Sequence, residues 1–299
     1  MENVVLKGFP LFDVANIEVI RGPQGTLFGR NTTAGIIKVN TRRPSDETSG
    51  YVKASWAEYN TINVEGAAGG SLSDTLNARV SGLYRTRDNW ITNGQTGSES
   101  LGEYEETAVR AQFDWTPSDA FSALLSLQTR SLEGTSSIFR ANVFSTGSAD
   151  LNQNYDRETV YYDGGDNNPQ AYDSFGATLN LTWDFDDVSV NSITSFQDAD
   201  GSSRGDIDGG VVDFSGTATI PPGITFDPAA PVFGGSALTF PGTILVPSVT
   251  QDGADTDQFT QEIRMSSDND GRFNWQVGAF YFSSDLVVTT DSFASFGDV

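Results

Sequence analysis

Apolar and polar residues alternate along this chain over runs of about ten positions, which is the period of a half-buried strand and not of a helix. From Phe175 onward, Phe175, Ala177, Leu179, Leu181, Trp183 and Phe185 share one face, while Gly176, Thr178, Asn180, Thr182 and Asp184 share the other. The same period sets Leu76, Ala78, Val80, Gly82 and Tyr84 against Asn77, Arg79, Ser81 and Arg85, and Thr107, Val109, Ala111, Phe113 and Trp115 against Arg110, Gln112 and Asp114. Another run places Phe273, Trp275, Val277, Ala279 and Tyr281 opposite Asn274 and Gln276. About nine such strands are predicted from Gly50 to the end of the chain.

The connections alternate as well. Ser71 to Asp74, Pro117 to Ala120, Asp186-Asp187 and Ser267 to Arg272 are short and rich in Asp, Ser, Gly or Pro, as hairpin turns require. Between them the pattern predicts long loops over 88–104, 132–173 and 199–256. Connections of that length are uncommon in compact soluble domains and carry function where they occur. Strands of about ten residues, short turns at one end, long loops at the other and apolar faces ending in Trp, Tyr and Phe are the pattern of an outer-membrane barrel. A soluble β-sandwich shares the alternation. It does not account for the loops, nor for a polar face that carries Arg79, Arg85, Arg110, Asp114, Arg130 and Glu262 in series, as a wet lumen tolerates. The expected fold is therefore all-β: a partial transmembrane antiparallel β-barrel of about nine strands, where plugged transporters have about 22.

Composition narrows the chemistry. The chain has neither Cys nor His, which excludes disulfide scaffolds, thiol catalysis, His/Cys zinc sites and Ser-His or Cys-His triads. A net charge of −23 over 299 residues argues against a nucleic-acid partner. Charge is also unevenly placed: residues 1–44 sum to +3 and the remainder to −26, which suggests a basic unit seated in an acidic surround. A P-loop fails because Gln24 stands where its first Gly should be and Arg30-Asn31 replace Lys-Ser/Thr. An EF-hand loop counted from Asp198 fails too, with Ser203 at its sixth position and Gly209 at its twelfth. No nucleophile, base and oxyanion group converge, so neither an enzyme nor a cofactor or metal site is expected.

The most specific stretch is Asn16 to Pro44, NIEVIRGPQGTLFGRNTTAGIIKVNTRRP. It resembles the C-terminal part of the plug domain of TonB-dependent outer-membrane receptors of the siderophore type. Ile17-Glu18, Arg21-Gly22-Pro23, Gly25, Leu27, Gly29, Gly35, Ile37, Thr41 and Pro44 occupy the positions of that pattern, and Ala34 stands where the family usually has a second Gly. The run Phe259 to Ser267 also resembles a barrel strand of these receptors. Read as physical chemistry, the glycines and Pro23 set turns and close approaches, while Ile17, Val19, Ile36 and Val39 form short strands.

The resemblance implies that 1–44 is the end of a plug and 45–299 the first part of a barrel, an internal fragment of a longer receptor. Met1-Glu2-Asn3 begins no secretory signal. It also implies residence in outer-membrane lipid, energy from the TonB complex through a segment not present here, and uptake of a scarce ligand. A ferric siderophore is the commonest such ligand; vitamin B12, haem, other metal complexes and saccharides are further choices. In this family an Arg of the RGP run pairs with barrel carboxylates, which makes Arg21 the expected plug lock, with Glu262 as a candidate partner. Ligand-facing aromatics are expected in the loops at Phe139, Phe144, Tyr155, Tyr161, Tyr162 and Tyr172. A surface adhesin and a plugless diffusion porin remain as alternatives, although a plugless porin leaves Asn16 to Pro44 unexplained.

Overall fold

A computed structural model describes residues 10–23, 33–94, 96–140, 143–144, 148–153, 155–162, 166, 168–206, 238–240, 243–267 and 273–298. Nine long strands, each hydrogen-bonded to its neighbour in antiparallel register, build one curved sheet. They are β3 (Ser49–Ala57), β4 (Thr61–Ser73), β5 (Leu76–Arg87), β8 (Tyr104–Ser118), β9 (Phe121–Thr135), β11 (Pro169–Asp184), β12 (Val188–Asp206), β14 (Thr243–Ser267) and β15 (Gln276–Asp298). A short β13 (Leu238–Phe240) folds back on β14. Among the described residues the sheet runs from β3 to β15 without closing on itself.

The outward face carries the apolar set of each alternation. At the short-turn end, Trp115 meets Phe121 edge-on at 5.7 Å and Phe121 lies 5.3 Å from Trp183. Toward the other end stand Phe175 and Phe196, with Phe259 6.2 Å from Tyr281. From Phe175 to Trp183, eight positions of strand span about 27 Å at ~3.4 Å per residue, or about 20 Å of height at a tilt near 40°. That matches an apolar band with aromatic rims. Beyond it the outward face turns acidic, with Asp198 opposite Asp257 and Asp200 opposite Asp255. Like charges directly opposite each other are tolerable only in water, so these rows mark where the band ends.

Two connections depart from the expected bounds, while the third, over 88–104, keeps them between Arg87 and Tyr104. β9 continues to Thr135 and β11 begins at Pro169, and β12 reaches Asp206 while β14 begins at Thr243, so the loops expected over 132–173 and 199–256 are shorter. The 88–104 loop contains β6 (Ile91–Asn93) and β7 (Ser98–Leu101). Backbone pairing outlasts the alternating apolar signal of β11 and β12: Gln170 still pairs with Ser203, and Ser203 with Asp252. The β3–β4 hairpin is a tight turn at the long-loop end. Tyr59 (φ 59°) and Asn60 (φ 50°) both take positive φ, as a type I′ turn requires, and Thr61 N–H donates to Glu58 O at 3.2 Å.

Two smaller units sit against this sheet. β1 (Val14–Arg21) and β2 (Gly35–Thr41) form a hairpin from the motif region. On the loop side, β10 (Thr159–Val160) pairs in parallel with β6, which pairs with β7. Ile91, Leu101, Val160 and Tyr162 make a core for this loop sheet, flanked by Trp90 and Ile138.

Candidate functional site

Strand register arranges the inner face as cross-strand rows. One row reads Ser49, Gly69, Arg79, Gln112, Ser126, Thr178, Ser195, Thr260; the next reads Tyr51, Ala67, Ser81, Arg110, Gln128, Gly176, Gln197, Gln258. Above them run Lys53, Glu65, Leu83, Ala108, Arg130, Ser174, Ala199, Thr256, and then Ser55, Asn63, Arg85, Glu106, Leu132, Tyr172, Gly201, Ala254. In these rows every charged side chain lies on β3 to β9. β11, β12 and β14 contribute Ser, Thr, Gln, Gly, Ala and one Tyr.

The charged half is where the motif hairpin is attached. Asp13, at positive φ (50°) just before β1, is 2% exposed and takes both Nε and Nη2 of Arg79 in a fork, at 2.7 and 2.6 Å. Its N–H donates to Glu65 Oε1 at 3.2 Å, and its carbonyl accepts from Arg42 N–H at 2.9 Å. Glu65 also accepts from the Tyr51 hydroxyl and faces Lys53 Nζ at 3.5 Å. Next to Asp13, Phe12 is buried against Leu83 and Ala108, while Arg110 lies 4.7 Å over its ring and donates to its carbonyl at 3.3 Å. One apolar side chain and one bidentate ion pair thus fasten the hairpin to the wall. Higher up, Glu106 accepts from Arg130 Nε at 2.8 Å and faces Arg85 at 3.6 Å, and Arg130 lies 4.7 Å over the ring of Tyr172.

Within the motif, Gly22 (φ 85°) turns the chain out of β1 and its N–H donates to Ala34 O at 3.2 Å. A Cβ on Gly35 (φ 142°) would lie 2.5 Å from Ile20 O, so the hairpin register needs glycine there. Pro44 is buried and Pro23 exposed; Gly25, Leu27 and Gly29 lie outside the described residues. Arg21 ends β1 opposite Gly35, and the ion pair of Glu262 among the described residues is with Arg264, two positions along β14. The buried ion pair between the start of the hairpin and the sheet is Asp13–Arg79. Arg79 stood in the polar series, but a lone Asp between Phe12 and Val14 gave no signal stronger than that of a turn residue.

The loop aromatics divide. Tyr162 is 1% exposed: its N–H donates to Asn93 Oδ1, its carbonyl accepts from Asn93 Nδ2, both at 3.1 Å, and its hydroxyl donates to Phe139 O. It holds the loop sheet together and does not face a ligand, which corrects the expectation for this residue. Phe139, Phe144 and Tyr161 are exposed. Tyr155 lies 6.0 Å from the Arg140 guanidinium, and Tyr172 belongs to the inner wall. Tyr59, missed in the sequence, bridges loops: its ring stacks on Trp90 at 5.1 Å and its hydroxyl donates to Glu158 at 2.8 Å, which raises its pKa.

No family model matches the chain. Among curated proteins, it is 30% identical to the pesticin receptor of Yersinia pestis over 110 residues, 36% of this chain and 16% of that protein. It is 36% identical to the iron-regulated outer membrane virulence protein of Vibrio cholerae over 98 residues, 31% of this chain and 15% of that protein. Among solved structures, the ferric yersiniabactin uptake receptor of Yersinia pestis superposes with a TM-score of 0.67 at 18% identity, covering 94% of this chain and 38% of that one. The matched segments thus span about a sixth of these curated relatives, and the fold likeness extends over nearly all of this chain.

Proposed function

We propose that this chain is part of a TonB-dependent outer-membrane receptor of the siderophore type, and that the protein captures a ferric siderophore at the cell surface and imports it with energy from the TonB complex. The observation that carries the reading is the attachment of the motif hairpin, through Phe12 and the buried Asp13–Arg79 pair, to the polar inner wall of a sheet whose outer face is apolar. A diffusion porin has no use for a plug fastened in its lumen, and a soluble adhesin has none for an outward band rimmed by Trp115, Phe121 and Trp183. Residues 1–44 act as the end of the plug and 45–299 as barrel wall and loops in outer-membrane lipid. The test is uptake of radioactive iron chelates under iron limitation, in cells with the gene intact, deleted, or intact without TonB. Loss of uptake of one ferric chelate in both altered strains supports the reading; undiminished uptake of every chelate after deletion overturns it.

A further inference from the structure

We infer that a pocket on the inner wall beside the plug attachment is an anion subsite, and that the imported chelate is therefore negatively charged. The inference rests on the siderophore-receptor reading and narrows it to a chemical class. A cavity of about 440 Å³ opens between β3, β4, β5 and the start of β8, lined by Lys53, Ser55, Asn63, Glu65, Arg85 and Tyr104. Its floor is Leu83, whose other neighbour is the buried ring of Phe12, so the pocket stands directly over the plug contact.

The donors and acceptors around this cavity are out of balance. Its one carboxylate, Glu65, already serves the Asp13 N–H, the Tyr51 hydroxyl and the Lys53 ammonium. The neighbouring Glu106 is bound by Arg130 at 2.8 Å and sits 3.6 Å from Arg85, beyond hydrogen-bond reach. Against these stand a Lys53 ammonium, 69% exposed with its carboxylate partner at 3.5 Å, and an Arg85 guanidinium, 36% exposed with five N–H groups to place. Lys53, Arg85 and Arg130 against Glu65 and Glu106 leave one net positive charge in a chain whose total is −23. A concave wall of that sign focuses the field on an incoming anion. Carboxylate or catecholate oxygens satisfy an ammonium and a planar guanidinium together, which a neutral ligand does not. Tyr104 supplies an aromatic wall, held in place by Arg87, which lies 4.9 Å over its ring and donates twice to Gly102 O.

The experiment titrates the protein, purified in detergent, with iron(III) tris-catecholate, a trianion, and with a neutral iron(III) tris-hydroxamate, following tryptophan fluorescence. The trianion is expected to bind at least about tenfold more tightly, and Arg85→Gln and Lys53→Gln each to weaken it about tenfold while leaving the neutral chelate unchanged. Lys53 is largely exposed, so its variant reports on binding even where Arg85→Gln perturbs folding; heat-modifiable electrophoretic mobility checks both. Lys38→Gln, on the plug hairpin, should change neither affinity. Equal affinity for the two chelates, or trianion binding indifferent to both substitutions, overturns the anion subsite and leaves the transport reading standing. Binding of neither chelate overturns both.

Discussion

The inner wall has two halves of opposite character. From β3 to β9 it carries charged side chains, with Asp13–Arg79 and Arg130–Glu106 as close buried pairs and Lys53 facing Glu65, and the β1–β2 hairpin is attached there. From β11 to β14, at the same levels, it offers hydroxyls and amides: Thr178 and Ser195 share a hydrogen bond at 3.1 Å, and Gln197 pairs in register with Gln258. The Glu262–Arg264 ion pair on β14 lies nearer the short turns. A bidentate ion pair removed from water fixes one geometry and is costly to break on one side. A hydroxyl or an amide exchanges partners with water at little net cost. The contrast separates a wall that holds from a wall that yields.

That contrast can be broken in order of expected effect. Arg79→Leu strands the Asp13 carboxylate, and attachment of the β1–β2 hairpin should weaken by about 3–5 kcal/mol, read as rapid proteolysis within residues 1–44 of folded protein. The double variant Asp13→Asn/Arg79→Leu removes both charges with a residue that the positive φ at 13 tolerates, and should recover part of the loss; a double variant as labile as the single one would show that the ion pair does not fasten the hairpin. Glu106→Gln leaves Arg130 and Arg85 without their carboxylate and should cost about 1.5–3 kcal/mol in thermal unfolding monitored in detergent. Thr178→Val, in the neutral half, should cost about 0.5–1.5 kcal/mol. A loss equal to that of Glu106→Gln would erase the distinction between the halves.

The smallest effect lies outside both walls and serves as their control. In the loop, Asp156 accepts from the backbone N–H of Glu158 and from the Thr159 hydroxyl, and these bonds lower its pKa. A lowered folded-state value means that its contribution is present above the ordinary Asp range, near ~4, and is lost as pH falls through the depressed value. The protection factor of the Glu158 amide, its intrinsic exchange rate divided by the observed one at each pH, should therefore be flat at neutral pH and fall only in acid, and Asp156→Asn should abolish that pH dependence.

Much of this was legible from residue order. Period-two alternation assigns Arg79, Arg85, Arg110 and Arg130 to the inner face and Phe175, Ala177, Leu179, Leu181 and Trp183 to the outer one, because a strand offers a side chain only two directions. The number of long strands follows from the same pattern. The Asp13–Arg79 pair was not legible: its meaning depends on register, which brings Arg79 of β5 to a residue 66 positions earlier. Loop lengths were overestimated because a backbone ladder needs no apolar face to continue. Tyr162 looked like its aromatic neighbours until Asn93, 69 positions away, supplied its backbone partners.

The parallel bridge between β6 and β10 also fixes an order of events in time. β6 lies in the connection after β5, and its partner is synthesised only after β8 and β9, so the bridge closes a long loop for only two residue pairs. Such a closure is unfavourable until the intervening strands have paired and shortened the path. The β6–β10 bridge thus forms after the β8–β9 hairpin, and its completion reports that those two strands already stand in register.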